Sequence, residues 1–414
     1  MGSHKNHMID IQDRGFGDID KYICSECVED RYLKDWILEN YTDECECDYC
    51  HQIHRVVNME DLLDNVIMPA VRHYYSLAAE NLRWDGENKE YWGNTYTTEE
   101  VIDDFELEIS SNPGVINNIK SAIIDYTWCK RDPYGATERD IYEYSWEHFS
   151  NLVKYNNRYF FSSIDTNQYD ETLAPIDILY VISQEAKSLG LIRALPPMSD
   201  FYRARKYEAN DDKIYDGGNL GSPPSKKAKV DRMSAAGIST FYAADNPVTS
   251  LKEICVDYIN DENTVIVGKF NNLRELTYLD LTMVNNIDFP SVFDLDKYEK
   301  REAILFFRKL NAKLTMPINK LKDIEYIPTQ IFAEYFKQEV KVDGIKYESS
   351  KDKNGNCYVL FFTNEQCIDQ ENLHPWQKPC ELKLSEFRMA KSAIEYSFAS
   401  INTETRVLED TITF

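Results

Sequence analysis

Two groups of residues in this 414-residue chain are of types and spacing that could do chemistry. The first is a pair of knuckles, Cys24-x2-Cys27 and Cys47-x2-Cys50, separated by nineteen residues. A CxxC turn lets two thiolates converge on one ion, and two such turns complete a tetrahedral zinc set. Four thiolates leave no open position for water, so that ion would be structural. A loop of reduced thiols is the bland alternative. Metal is favoured over it because so short a segment has little core of its own. Cys45, His51 and His54 lie close enough to compete for the ligand positions. The second group is Arg203, Arg205, Arg232, Tyr242, Glu253 and Ser349, each near a Gly, a Pro or a turn. Guanidinium, carboxylate and hydroxyl groups on separate short elements read as a polar constellation assembled by folding. No histidine accompanies them, which argues against Ser349 as the nucleophile of a triad.

These residues fall in four runs: FYRAR, LGSPPSKKAKVDRMSAAGISTFYAADNPVTSLKEI, YIPTQIFAEYF and VDGIKYESSKDKNGNCYVLFF. Over about two fifths of the chain, and in this order, they closely resemble the RES domain family, named for its Arg, Glu and Ser. The resemblance implies an ADP-ribosyltransferase-like fold. It also implies a toxin- or defence-type enzyme that depletes NAD+ by cleaving the nicotinamide–ribose bond, as a glycohydrolase or phosphorylase. Two alternatives stay open: an ADP-ribosyltransferase acting on a protein or nucleotide, and a module that senses NAD or a nucleotide without turnover. Matched to the family's motifs, Arg232, Tyr242, Glu253 and Ser349 are the implied catalytic residues. Arg203, Arg205, Tyr242 and Asn356 are the implied NAD+-binding residues.

The chemistry fits those side chains. Cleavage makes the ribose oxocarbenium-like, so a carboxylate beside it stabilises the transition state more than the ground state. Arginine forks suit a diphosphate. A tyrosine offers a flat face for nicotinamide, and a serine hydroxyl can orient the ribose. Ser350, adjacent to Ser349 on a strand, would face the other way. Lys226, Lys227 and Lys229 read as a solvated loop.

The elements that must position these groups follow from pattern. From Met59 to about Leu191 the apolar spacing is helical, with MEDLLDNVIMPAVRHYYSLAAENL kinked or restarted as a new helix at Pro69, Thr98 as a cap, and Gly190 ending a helix from Asp177 to Leu189. This stretch weakly resembles the HEPN-type helical domain found ahead of RES domains. That domain's ribonuclease motif is missing, because Arg139 and His148 are separated by eight residues and Arg72 and His73 are adjacent. A dimerising or sensing bundle is expected instead. Beyond Pro196, short β-branched and aromatic runs alternate with short helices. The predicted fold class is therefore α+β: a tag-like leader (1–20), a zinc knuckle (21–57), a HEPN-like helical domain (58–195), a mixed α/β RES domain (196–363) and a packed extension (364–414). In the extension, Cys367, His374 and Cys380 read as ordinary thiols and a histidine sooner than as metal ligands.

With 71 acidic against 46 basic residues the chain carries a formal charge of −25. Such a surface repels phosphate backbones and anionic membranes, so general nucleic-acid binding is not expected. Ten cysteines without a signal-like start argue for a reducing cytoplasm. The expected partners are NAD+, a second copy of the chain, and either an antitoxin or the chain's own N-terminal part as an inhibitor.

Overall fold

The structure is a computed structural model that describes residues 2–161, 172–206, 216–254, 265–316, 322–368 and 379–390. It divides into two compact units, 1–140 with 288–303 and 141–287 with 304–414.

In the first unit, helix α1 (Gly2–Arg14) leads into strand β1 (Tyr22–Cys24), helix α2 (Arg31–Glu39) and strands β2 (Asp43–Glu46) and β3 (Ile53–Asn58). The strands form an antiparallel sheet in the order β1-β3-β2. Asp30 caps α2 by accepting from the amides of Tyr32 and Leu33. The segment expected to be a leader is part of this unit, since Phe16 and Ile19 are buried in its core with Ile23, Leu33 and Val56. The run from Met59 stays helical across Pro69 by widening into a π-turn at Leu63–Ile67, where the Met68 amide reaches the Leu63 carbonyl. That register relieves the clash a proline ring makes with the carbonyl four residues back. Helix α3 (Met68–Tyr74) then gives way to a strand, Tyr75–Leu77, paired with Thr127–Lys130. The expected bundle is thus a set of short helices around a small sheet. The cap expected at Thr98 lies one residue earlier, at Thr97, in a capping box with Glu100. Thr98 is buried, and its hydroxyl bonds the Ile124 carbonyl and accepts from the Trp128 indole.

The second unit begins with α4 (Glu138–Tyr155) and α5 (Pro175–Ser188). Both were expected in the N-terminal helical domain. Here Trp146, Phe149, Ile178 and Ile182 share a core with Phe307, Phe332 and Ile345, so the compact units part at 140 rather than near 195. Gly190, at φ 68°, closes α5 as expected, with the Leu191 amide bonded to the Ala186 carbonyl.

An eight-stranded sheet follows: β4 (Ile192–Leu195), β5 (Asp200–Lys206), β6 (Phe241–Ala244), β7 (Val265–Asn272), β8 (Leu276–Asp280), β9 (Gly344–Glu348), β10 (Asn356–Leu360) and β11 (Leu382–Ala390). Their order is β11-β7-β5-β6-β10-β9-β8-β4, with only β8 and β9 parallel. Alternation along the strands sorts the side chains. Phe201, Phe241, Ile266, Phe270 and Leu360 fill one face. Leu279, Ile345, Val359 and Phe361 fill the other, beneath helices α7 (Tyr298–Thr315) and α8 (Ile327–Tyr335). Helix α6 (Pro247–Ile254) packs Leu251 on Ala204 and Val267 of that second face. From the C-terminal extension, β11 pairs with β7 along its length. His374 lies outside the described residues. None of the helices among them is long and apolar enough to cross a membrane.

Candidate active site and metal centre

Strand alternation brings together residues far apart in sequence. Tyr347 stands opposite Cys357 on β9 and β10, and Tyr242 is opposite Val359, so all these side chains share the second face. Ser349, just past the end of β9, continues that alternation. Its hydroxyl lies 2.5 Å from Oε1 of Glu253 on α6, across 96 positions of sequence. The direction of that bond is determined. Ser349 Oγ already accepts from the amides of Lys351 (3.1 Å) and Asp352 (3.0 Å), filling both lone pairs, so its one proton goes to the carboxylate. The thiol of Cys357 points at the same oxygen from 3.6 Å. Burial and the neighbouring carboxylate push its pKa up, so it stays a thiol donor. Glu253 is thereby held by Oε1, leaving Oε2 without a bond to either donor.

The loop after Ser349 is tied to the start of α6. Thr249 Oγ1 donates to Asp352 at 2.6 Å, Lys252 pairs with the same carboxylate at 2.9 Å, and Lys351 Nζ caps the Glu253 carbonyl at 2.7 Å. Asn356 is tied to Asp245, with its side-chain amide 2.7 Å from that carboxylate. A methyl group on Gly355 would sit 1.9 Å from Thr249 Oγ1. Gly355→Ala is therefore expected to cost about 1–3 kcal/mol of stability and to lower the thermal midpoint. It should also loosen Ser349, whose amide bonds the Gly355 carbonyl at 2.9 Å. An unchanged midpoint would show that the loop can move away.

Tyr242 projects from β6 against the Arg232 turn. Its hydroxyl is 3.0 Å from Ser234 Oγ and accepts from the Met233 amide at 3.1 Å. Burial keeps this phenol, and that of Tyr347, protonated. The turn itself is pinned by two buried polar residues of α8. Thr329 donates to the Arg232 carbonyl, and Gln330 bonds the carbonyls of Asp231 (2.9 Å) and Ser234 (3.2 Å). The Arg232 guanidinium gives Nη1 to the Leu314 and Met316 carbonyls, at 2.7 and 2.8 Å, where α7 ends.

Arg203 and Arg205 do not join this cluster directly. They alternate with Ala204 and point to the opposite face, Arg203 over the Phe241 ring. However, β5 and β6 are bridged at a single position, Tyr202↔Ala244, so the strands part beside these arginines. Arg203 Nη1 reaches across the seam to the Tyr242 carbonyl, and Arg205 Nη2 bonds the Gly221 carbonyl at 2.5 Å. Burial, with Arg205 as a second cause, pulls the Arg203 pKa down to about 10, which still leaves a cation at neutral pH. The Nε atoms of both are buried and have no hydrogen-bond partner among the described residues. Two desolvated cations with unspent donors make a place for an anion.

A RES domain model matches residues 200–379, and a HEPN/RES N-terminal domain 1 model matches 40–167. The chain is a RES-domain protein. All six residues of the resemblance, with Asn356, fall inside the RES match. The chain is also similar to a chain of the M. tuberculosis MbcT-MbcA toxin–antitoxin complex, with 13% identity over 52% of this chain and 95% of that one. The TM-score is 0.30. The curated proteins contain no match to this chain. Sequence reasoning gave no role to Tyr347, Cys357, Thr329 or Gln330. Alternation from Ser349 back to Tyr347 could have found the first. Polar Thr-Gln at the head of an otherwise apolar α8 could have found the last two.

Near the N-terminus of the RES-domain protein, the Sγ atoms of Cys24, Cys27, Cys47 and Cys50 all lie within 4.8 Å of one another. Three of the separations are 3.7 Å. That is too long for a disulfide. It matches the ligand–ligand edge of about 3.8 Å that follows from a tetrahedron with Zn–S near 2.3 Å. Cys24 leads from β1 into a 3-10 turn ending at Cys27, and the Cys47–Cys50 turn is closed by His51 at φ 57°. Of the competing groups, the Cys45 thiol turns to the Glu46 carbonyl and His51 pairs with the Glu46 carboxylate. This four-cysteine group could hold a metal ion.

Proposed function

We propose that the RES-domain protein consumes NAD+ by breaking its nicotinamide–ribose bond and passing the sugar to water or inorganic phosphate. The observation that carries this reading is the Glu253 carboxylate, anchored through Oε1 by Ser349 and Cys357. As nicotinamide leaves with the bonding electrons, positive charge grows on the ribose, and Oε2 of Glu253 opposes it. The carboxylate is already oriented, so little reorganisation is needed at that moment. The partly buried rings of Tyr242 and Tyr347 would bound the nicotinamide. The diphosphate would lie at the parted β5–β6 seam and take the unspent donors of Arg203 and Arg205. Arg232 would shape the Tyr242 turn, with its bonds to the end of α7 holding that turn in place. Among the four clustered cysteines, a zinc ion would supply structure and no chemistry.

The test is incubation with NAD+, with and without phosphate or candidate acceptors, followed by product identification. Free nicotinamide with ADP-ribose, or with a phosphorylated ADP-ribose, supports the proposal. ADP-ribose attached to a protein or nucleotide would make the chain a transferase using the same site. Binding without nicotinamide release would leave a sensing module. Arg203→Met is expected to raise the KM for NAD+ about tenfold or more, because the diphosphate is charged before reaction begins.

A further inference from the structure

The first unit contains an open cavity of about 470 Å³ whose lining includes Arg72, His73, Ser76, Asn81 and Arg131 and no carboxylate. In a chain with formal charge −25, a pocket walled by two arginines and a histidine stands out from its surroundings. Of the carboxylates next in sequence to the lining, Glu80 and Asp296 are exposed and outside it, and Asp294 pairs with Lys297. Asp132 accepts from the Gly135 amide at 2.8 Å, and Asp104 is held by Lys130 at 3.2 Å.

The basic groups are positioned by the fold. Arg72 Nη2 donates to the last carbonyls of α1, those of Asp13 (3.0 Å) and Arg14 (2.6 Å). The approach is close because Gly15 has φ +83°, and a methyl group there would meet Arg72 Nη2 at 3.2 Å. Fixing one nitrogen in this way leaves the remaining guanidinium edge for the cavity. The His73 ring is clamped by Tyr74 and Tyr298, with centroids 5.0 and 4.5 Å away. Arg131 Nη1 stands 3.3 Å from His73 Nδ1. Ser76 and Asn81 are joined by a 2.8 Å hydrogen bond on the same wall.

We propose that Arg72, His73 and Arg131 form a site for the phosphate of a small phosphate monoester, with Ser76 and Asn81 facing its polar remainder. Two planar forks and an imidazole supply the converging donors that a dianionic phosphate takes. The volume exceeds what phosphate alone would fill and suits a small polar ester. In the unliganded arrangement burial, and then Arg131, lowers the His73 pKa. A bound dianion reverses that balance, so His73 reports occupancy. The site is independent of the NAD+ reading and lies in the other compact unit.

The experiment uses the full chain with selectively labelled histidine, only seven of which are present. The His73 resonance is assigned by loss in His73→Gln and followed by NMR while inorganic phosphate, then glycerol 1-phosphate, is added. The expected result is a saturable shift of His73 with a raised pKa, the monoester binding more tightly. Arg131→Ala, an exposed position, should weaken binding about tenfold or more, and Arg131→Lys should retain part of it. An unmoved His73, or an Arg131→Ala protein that keeps its thermal midpoint and binds like the parent, would overturn the site. Binding of inorganic phosphate but not of the monoester would overturn the ester assignment.

Discussion

Glu253→Gln is expected to lower NAD+ turnover on the order of a hundredfold or more, corresponding to about 3 kcal/mol of lost transition-state stabilisation. Glutamine keeps a carbonyl oxygen where Ser349 and Cys357 now donate to Oε1, at 2.5 and 3.6 Å, so the side chain can hold its place. What it loses is the negative charge opposite the forming oxocarbenium. Because that cation exists chiefly in the transition state, kcat should fall and KM for NAD+ should change little. Ser349→Ala should have a smaller effect of a different kind. Oε1 loses its strongest anchor while the Lys351 and Asp352 amides lose their acceptor, so activity and thermal midpoint both drop. Ser350→Ala should change neither. A Glu253→Gln protein that releases nicotinamide as fast as the parent would remove this residue from the mechanism.

Metal loss should have the largest structural effect. Cys24, Cys27 and Cys47 are core residues of the first unit, packed with Ile23, Leu33, Val56 and Val57. Cys24→Ala, or chelation, opens the tetrahedron inside that core. Structural zinc contributes roughly 10 kcal/mol or more at neutral pH, comparable to the whole stability of a typical domain. The first unit should therefore unfold, seen as lost near-ultraviolet ellipticity and rapid proteolysis before residue 140. Residues 288–303, part of the first unit, should become cleavable as well, while fragments of 141–287 and of the chain beyond 303 persist, because the second unit has its own cores. Metal analysis should return one zinc per chain. Protein that is folded, fully active and free of any metal would exclude the site.

How legible these features were from sequence differs by element. The four-cysteine set was readable because ligand spacing is local: each knuckle is four residues long, and only pairing the two knuckles required the fold. Glu253 and Ser349 were readable only through the resemblance, since a lone carboxylate on α6 or a serine past β9 carries no signal of its own. The carboxylate's anchoring was hidden. It depends on two backbone amides filling the Ser349 oxygen and on a cysteine whose partner strand the sequence does not name. Arg203 and Arg205 were expected, with Tyr242, among the NAD+-binding residues. Strand alternation sends them to the other face, and only the single β5–β6 bridge restores a connection. Pattern placed α4 and α5 correctly as helices but could not say which core they join. An apolar stripe such as Trp146, Phe149 and Val153 fits any complementary surface.

The return of the chain to the first unit at 288–303 has a consequence for how the protein is made. Val292 and Phe293 belong to the core that contains Phe16, Leu33 and Phe105, with the Phe105 and Phe293 rings 5.9 Å apart. During translation, residues up to 140 leave the ribosome early, but the piece that completes their core is finished only at residue 303, another 163 residues on (303 − 140). At ordinary elongation rates that interval lasts roughly ten to thirty seconds. For that time the nascent N-terminal portion lacks the Val292 and Phe293 side chains that complete its core. Glu253 is synthesised within the same interval, before Ser349 and Cys357 exist to hold it. Anchoring of the Glu253 carboxylate therefore comes after closure of the N-terminal core in the order of synthesis, and a chain truncated before residue 349 would lack the hydroxyl that holds it.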